Sequence, residues 1–241
     1  MTTLVIGASG ATGHLLVRQL LAQGGDVRIV VRALDRMPDD IRTHPRLFAV
    51  EASVLELSDA QMRDLVRGCR AVACCLGHNL TFRGMFGHPR RLVTQAVRRF
   101  CEAIRATRPD MPVKFVLMNT TGNRNRDLKE PIPFLQHVII WLLRLLLPPH
   151  VDNEKAADYL RRQVGQGDPA IEWAVVRPDG LIDEASVSAF DLHASPTRSA
   201  IFDAGKTSRI NVAAFMAQLI AEAPVWRRWK GQMPVIYNQG H

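Results

Sequence analysis

Three glycines at intervals of three, Gly7, Gly10 and Gly13, separate an aliphatic run, Leu4 to Ile6, from apolar residues at Leu15, Leu16, Leu20 and Leu21. The first run reads as a buried strand, and the second set recurs with helical spacing. The glycines therefore occupy a strand-to-helix turn. There a bare backbone can approach a ligand closely, and free helix N–H groups and the helix dipole favour a phosphate. A second strand, DVRIVVR, ends at Arg32, and Arg36 follows a turn later. In a dinucleotide-binding turn an acid at this strand end bonds the ribose 2′-hydroxyl of NAD, whereas an arginine suits the 2′-phosphate of NADP. Asp35 lies too far into the loop to be the ribose acid, and guanidinium groups pair bidentately with phosphate and stack on adenine. The chemistry indicated is NADP(H) binding, although the first two glycines stand three apart rather than the usual two.

Elements that would position these groups alternate along the chain, as expected for an α/β, Rossmann-type doubly wound parallel sheet with helices on both faces. RLFAVEA reads as a third strand and is followed by a helix from about Ser58 to Arg67. AVACCLG is a fourth strand, and a long helix from about Arg90 to Thr107 leads to the fifth, VKFVLMNT. A further helix begins near Asp152. IEWAVVRP is the sixth strand, NVAAFMAQLIAEA a helix with Asn211 as its N-cap, and MPVIYN the last strand. The length fits one domain over residues 1–241, with a substrate-side region at about 179–241.

An apolar segment at about 131–149 interrupts the alternation. Its core, Val138 to Leu147, is broken by Arg144 and is too short to cross a bilayer, which takes about 20 apolar residues. Three readings stay open: a core helix, a wall over a ligand pocket, and a contact with another copy of the chain or a membrane surface. In the second reading Trp141 offers a flat surface for stacking, while His137 and Arg144, seven apart, share a helix face toward the substrate.

The net charge is +8 and the pI about 9.9, but the arginines are dispersed and no nucleic-acid motif accompanies them. The charge suits anionic small molecules rather than nucleic acid. The first apolar run lacks a basic leader, so a cytoplasmic protein is expected. Cys69, Cys74, Cys75 and Cys101 show no metal-ligand spacing, and no metal is expected. Cys74 and Cys75, neighbours on a strand, should point to opposite faces.

Taken in order, GASGATG, VVR, CLG, NTTG, NEKAADYLR and WAVVRPDGL resemble the atypical short-chain dehydrogenase/reductases, nearest the NmrA-like and flavin reductase (biliverdin reductase B)-like NAD(P)H-binding proteins. The resemblance covers almost the whole chain. It implies that Gly7, Ser9, Gly10, Ala11, Thr12 and Gly13 form the pyrophosphate turn and that Arg32 holds the 2′-phosphate. Leu76 and Gly77 would lie beside the cofactor ribose, and Pro178 would border the nicotinamide pocket. Thr120 and Thr121 take the place of the family's serine or threonine near the nicotinamide, and Lys155 matches its active-site lysine.

One expected group is missing. Full dehydrogenases of this superfamily carry a tyrosine four residues before the lysine, and here that position is Val151. Tyr159, four after, reads as a packed tyrosine. A flavin accepts hydride directly and takes its proton from solvent, so positioning rather than a strong acid can carry the reaction. The sequence therefore indicates an NADPH-dependent reductase of a flavin, quinone or similar planar acceptor, with Thr120, Thr121, His78 and His137 as candidate proton donors. The alternative is a non-catalytic NADP(H) sensor or scaffold of the NmrA type.

Overall fold

The computed structural model describes residues 1–77, 91–128, 130 and 148–240. Eight strands form one sheet in the order β3-β2-β1-β4-β5-β6-β10-β8. They are β1 (Thr2–Ile6), β2 (Asp26–Val31), β3 (Leu47–Glu51), β4 (Ala71–Cys74), β5 (Val113–Met118), β6 (Ile171–Pro178), β8 (Phe190–His193) and β10 (Val235–Asn238). All neighbours pair in parallel except β8 and β10, which pair antiparallel at the edge. Two short strands, β7 (Gly180–Ile182) and β9 (Lys206–Ser208), pair separately. The doubly wound sheet expected from the sequence is therefore present.

Why the sheet is covered on both faces is visible residue by residue. Leu4, Ile6, Val72, Cys74, Phe115, Leu117, Trp173 and Val175 point into one core, under helices α3 (Asp59–Val66), α4 (Leu92–Thr107) and α5 (Pro148–Tyr159). Their immediate neighbours Val5, Ala71, Ala73, Val116, Ala174 and Val176 point into the other. That core lies under α1 (Gly13–Ala22), the short α2 (Asp39–Arg42), α6 (Arg209–Ala221) and α7 (Ala223–Trp229). A strand alternates its side chains, so near-continuous apolar runs are what burial on both faces demands. Cys74 and Cys75 divide between the two cores as expected.

Two helix starts differ from the sequence reading. Helix α6 is capped by Ser208, whose Oγ accepts the Asn211 N–H at 3.2 Å. Asn211 is instead buried, its amide donating to Asn238 Oδ1 (2.7 Å) and Ser188 Oγ (2.9 Å). Either residue type suits a cap, and burial against β10 decided between them. The described part of helix α5 is already helical at Pro148, ahead of the start expected near Asp152. Residues 148 and 149 of the apolar insertion thus belong to α5. Its core, with His137, Trp141 and Arg144, lies outside the described residues, as does His78.

Helix α4 has Arg91 at its N-cap, which supplies no capping side chain. The cap comes from α5: Asp152 accepts the N–H groups of Val93 (2.8 Å) and Thr94 (3.0 Å), and the Thr94 hydroxyl donates to the Asp152 carbonyl (2.9 Å). The two helices are locked end to side.

Candidate dinucleotide and acceptor site

The glycine turn leaves the carboxyl end of β1, beside the point where the winding of the sheet reverses between β1 and β4. Open α/β sheets bind their ligands there. Gly7 has φ +79°, and a Cβ on it would stand 2.7 Å from backbone atoms of Cys75 and Leu76. A Cβ on Gly13 would stand 2.1 Å from the Gly7 carbonyl oxygen. The fold itself thus requires both glycines: one lets β1 turn against the exit of β4, the other seats α1 on that turn.

Gly10 is different. Its nearest neighbour to an added Cβ is the Gly7 oxygen at 3.2 Å, a tight contact but far less severe than those at Gly7 and Gly13. Ser9, Gly10 and Ala11 are exposed, Thr12 is buried without capping the helix by its side chain, and no acid occupies the first turn of α1. An exposed bare backbone before an uncapped, acid-free helix start is a cradle that fits a pyrophosphate. Arg32 and Arg36, at and just beyond the end of β2, are exposed, and no hydrogen bond or ion pair engages either among the described residues. Leu76 is half-buried and Gly77 exposed, directly across from Gly7.

At the end of β5 the backbone is fixed by Asn119, whose Oδ1 accepts the Thr120 N–H (2.9 Å) and whose amide donates to the Asn153 carbonyl on α5 (2.9 Å). Thr120 is half-buried, and its hydroxyl oxygen accepts the Gly122 N–H at 3.3 Å. Thr121 is buried. Its hydroxyl donates to Asp179 at 3.1 Å, and its N–H donates to the Pro178 carbonyl at 3.0 Å. Asp179 also accepts the Gly205 N–H at 2.9 Å. Burial pushes the Asp179 carboxyl above the ordinary range, opposed by hydrogen bonds from Gly205, Thr121 and Gly180 and by the charge of Arg198. Asp179 therefore ties the ends of β5 and β6 to the loop that precedes β9.

Beneath this edge runs a buried ion pair. Arg177 Nη2 donates to Glu130 Oε1 at 2.8 Å, and the same guanidinium donates to the carbonyls of Met233, Asn123 and Ala194. Glu130 Oε2 accepts the Asn125 N–H at 2.9 Å. Sequence reading missed this clamp, which joins the segment after β5 to β6, to the chain just before β10 and to the residue just after β8. Lys155 projects from α5, exposed, with no partner among the described residues. Tyr159 accepts at 3.4 Å from Arg105, which pairs with Asp168 (2.7 Å), a structural cluster. Burial pushes the Cys74 thiol up to about 12, so the end of β4 offers no thiolate. Among the described residues no group of three potential metal ligands occurs, and no helix is long and apolar enough to cross a membrane.

Fold and site together define a dinucleotide-binding α/β protein. The sequence profile of the NAD(P)H-binding family matches residues 7–223, and the chain belongs to that family. No curated protein matches it in sequence. Solved structures share the fold at low identity. A short-chain dehydrogenase/reductase from Veillonella parvula in complex with NADP is 16% identical, with TM-score 0.71, covering 99% of this chain and 95% of that one. A protein from Streptococcus pneumoniae assigned as an NADH-flavin reductase is 16% identical, with TM-score 0.67 and coverage of 99% and 100%. An anaerobillin reductase from Escherichia coli O157:H7 is 16% identical, with TM-score 0.69 and coverage of 100% and 98%.

Proposed function

We propose that the protein is an NADPH-dependent reductase that passes hydride directly to a planar, largely apolar acceptor such as a flavin or quinone. The observation that carries the cofactor choice is the pair of exposed, unengaged guanidinium groups, Arg32 and Arg36, where an NAD-binding chain would place an acid. Gly7, Ser9, Gly10, Ala11, Thr12 and Gly13 would hold the pyrophosphate, and Leu76 and Gly77 would line the ribose. Lys155 would reach the nicotinamide ribose, and Thr120 and Pro178 would border the ring. When bound, NADPH supplies the hydride. Thr121 serves the site by position, since its hydroxyl is committed to Asp179. The structural neighbours named as flavin and anaerobillin reductases support an acceptor of extended conjugation.

Val151, in the place of the family's tyrosine, favours a second reading, an NADP(H) sensor that does not turn over. Steady-state oxidation of NADPH with FMN and menadione separates the two: turnover supports the reductase, and tight binding without turnover supports the sensor. Titration tests the cofactor choice. Arg32→Asp should weaken NADPH binding ten- to over a hundredfold, the equivalent of about 1.5–3 kcal/mol for a charge-assisted phosphate contact, and leave NADH binding unchanged. Equal affinity of the wild type for both cofactors would overturn the assignment.

A further inference from the structure

One residue before Val151, helix α5 carries an imidazole that no role described above accounts for. The His150 ring lies over Gly122 at the end of β5. A Cβ on that glycine would stand 3.3 Å from His150 Cε1, 3.8 Å from its Nδ1, and 3.8 Å from the Thr120 methyl. The glycine of NTTG thus leaves the space into which the ring fits. The His150 side chain is 12% exposed, and its Nε2 is sealed from solvent without a hydrogen-bond partner among the described residues. One turn on, Glu154 Oε1 lies 3.4 Å from that nitrogen, within ion-pair range but out of line for a hydrogen bond.

A packing histidine would be expected to satisfy its buried nitrogen. Here one nitrogen faces a carboxylate on the same helix, while Nδ1 lies on the side of Gly122 and Thr120, at the edge where the nicotinamide-facing residues gather. A carboxylate that orients an imidazole, with the other nitrogen turned to the reacting atoms, is the arrangement general acid–base catalysis uses. We propose that His150, whose Nε2 faces the Glu154 carboxylate and whose ring the bare Gly122 admits, is the proton donor to the acceptor in place of the tyrosine absent at position 151.

The proposal rests on the reductase reading. In the step, His150 Nδ1 gives its proton to the acceptor oxygen or ring nitrogen that receives the electron pair. At the same time the C4–H bond of the dihydronicotinamide breaks and a new bond to that hydrogen forms on the acceptor. NADPH is oxidised to NADP+, the acceptor is reduced by two electrons, and solvent returns a proton to the imidazole before the next turnover.

The test uses the full chain with NADPH and menadione. His150→Gln should lower kcat about 100-fold, the low end for removing a general acid, with the dissociation constant for NADPH unchanged within about twofold. His150→Ala should lose as much and recover in proportion to imidazole added to the assay, which a merely structural residue would not do. Gly122→Ala, which makes the ring move but sits on a half-exposed loop, should lose about tenfold. If both His150 variants keep kcat within about threefold of wild type, the proposal fails and the reductase reading stands. A loss that imidazole does not restore and that NADPH affinity shares marks a packing role and also overturns it. If the wild type binds NADPH and reduces neither menadione nor FMN, the reductase reading itself falls and takes the donor with it.

Discussion

The two halves of the sheet's carboxyl edge are built from different materials. In the described residues 1–77 the buried polar side chains are Thr3 and Thr12, and the edge is backbone packed on backbone: Gly7 against the exit of β4, Gly13 against Gly7. Among the described residues from Asn119 onward thirteen polar or charged side chains are buried, including Glu130, Asp152, Arg177 and Asp179. Under the proposed function the first half would hold a pyrophosphate, an invariant group for which a fixed backbone cradle suffices. The second half, where the proposal places the acceptor, is shaped by side chains, and each buried polar group there must find a partner or cost stability. The first half is thus rigid by geometry and the second by reciprocal pairing.

If that contrast holds, the largest effect comes from breaking a pair in the second half. Glu130→Gln leaves the Arg177 guanidinium buried without its counter-charge and should cost about 3–5 kcal/mol in urea denaturation. NADPH affinity of the folded fraction should be unchanged. Joint loss of stability and affinity would show that the halves do not act separately.

In the first half the comparison sharpens between glycines. Gly7→Ala meets both a left-handed φ and backbone contacts at 2.7 Å, and should destabilise by about 1–3 kcal/mol. Gly10→Ala should leave the melting temperature nearly unchanged yet weaken NADPH binding at least tenfold. If Gly10→Ala unfolds the chain as readily as Gly7→Ala, the turn serves packing alone.

Smaller effects are expected at two anchors. Asp152→Ala removes the acceptor for two N–H groups of α4 and should cost about 0.5–2 kcal/mol, read by thermal melting. Glu172 holds α7, accepting from Trp226 Nε1 (2.6 Å) and Lys230 Nζ (2.7 Å). Burial pulls its carboxyl upward, but these hydrogen bonds and the Lys230 charge outweigh that and leave it below the ordinary glutamate range. Its folded value being depressed, it contributes stability above the ordinary glutamate range and loses it as pH falls through the folded value. The site is partly exposed, so the contribution is about 0.2–1 kcal/mol. Glu172→Gln should flatten the stability difference between pH 7 and pH 3 by that amount.

This contrast also explains what could be read from the chain. The glycine turn, the end of β2 beside Arg32 and the two faces of each strand were legible because their signals are local: a spacing of three, a strand end, an alternation of period two. Arg177 and Glu130 lie 47 residues apart, and Asp152 caps an N–H 59 residues before it. Nothing in either neighbourhood marks such a pairing. The place of His150 against Gly122 has no local mark either, since the two residues lie on separate elements. The nearest thing to a signal is the glycine of NTTG, a bare position on a loop whose φ does not demand glycine. Asn211 misled because a good capping residue also makes a good buried hydrogen-bonding one.

The Asp152 contact reaches beyond its stabilisation of α4. Each residue of a helix advances it by about 100°, so a helix that slips by one position swings every side chain to a new bearing. By gripping two N–H groups of a neighbouring helix, Asp152 sets the angular phase of α5 and fixes where His150, Glu154 and Lys155 point. That phase is held by a contact from the side of α5 to the first turn of α4. A substitution elsewhere on α5 that spares Asp152 should therefore leave the bearing of its other side chains unchanged, whereas loss of that one carboxylate frees the whole helix to turn.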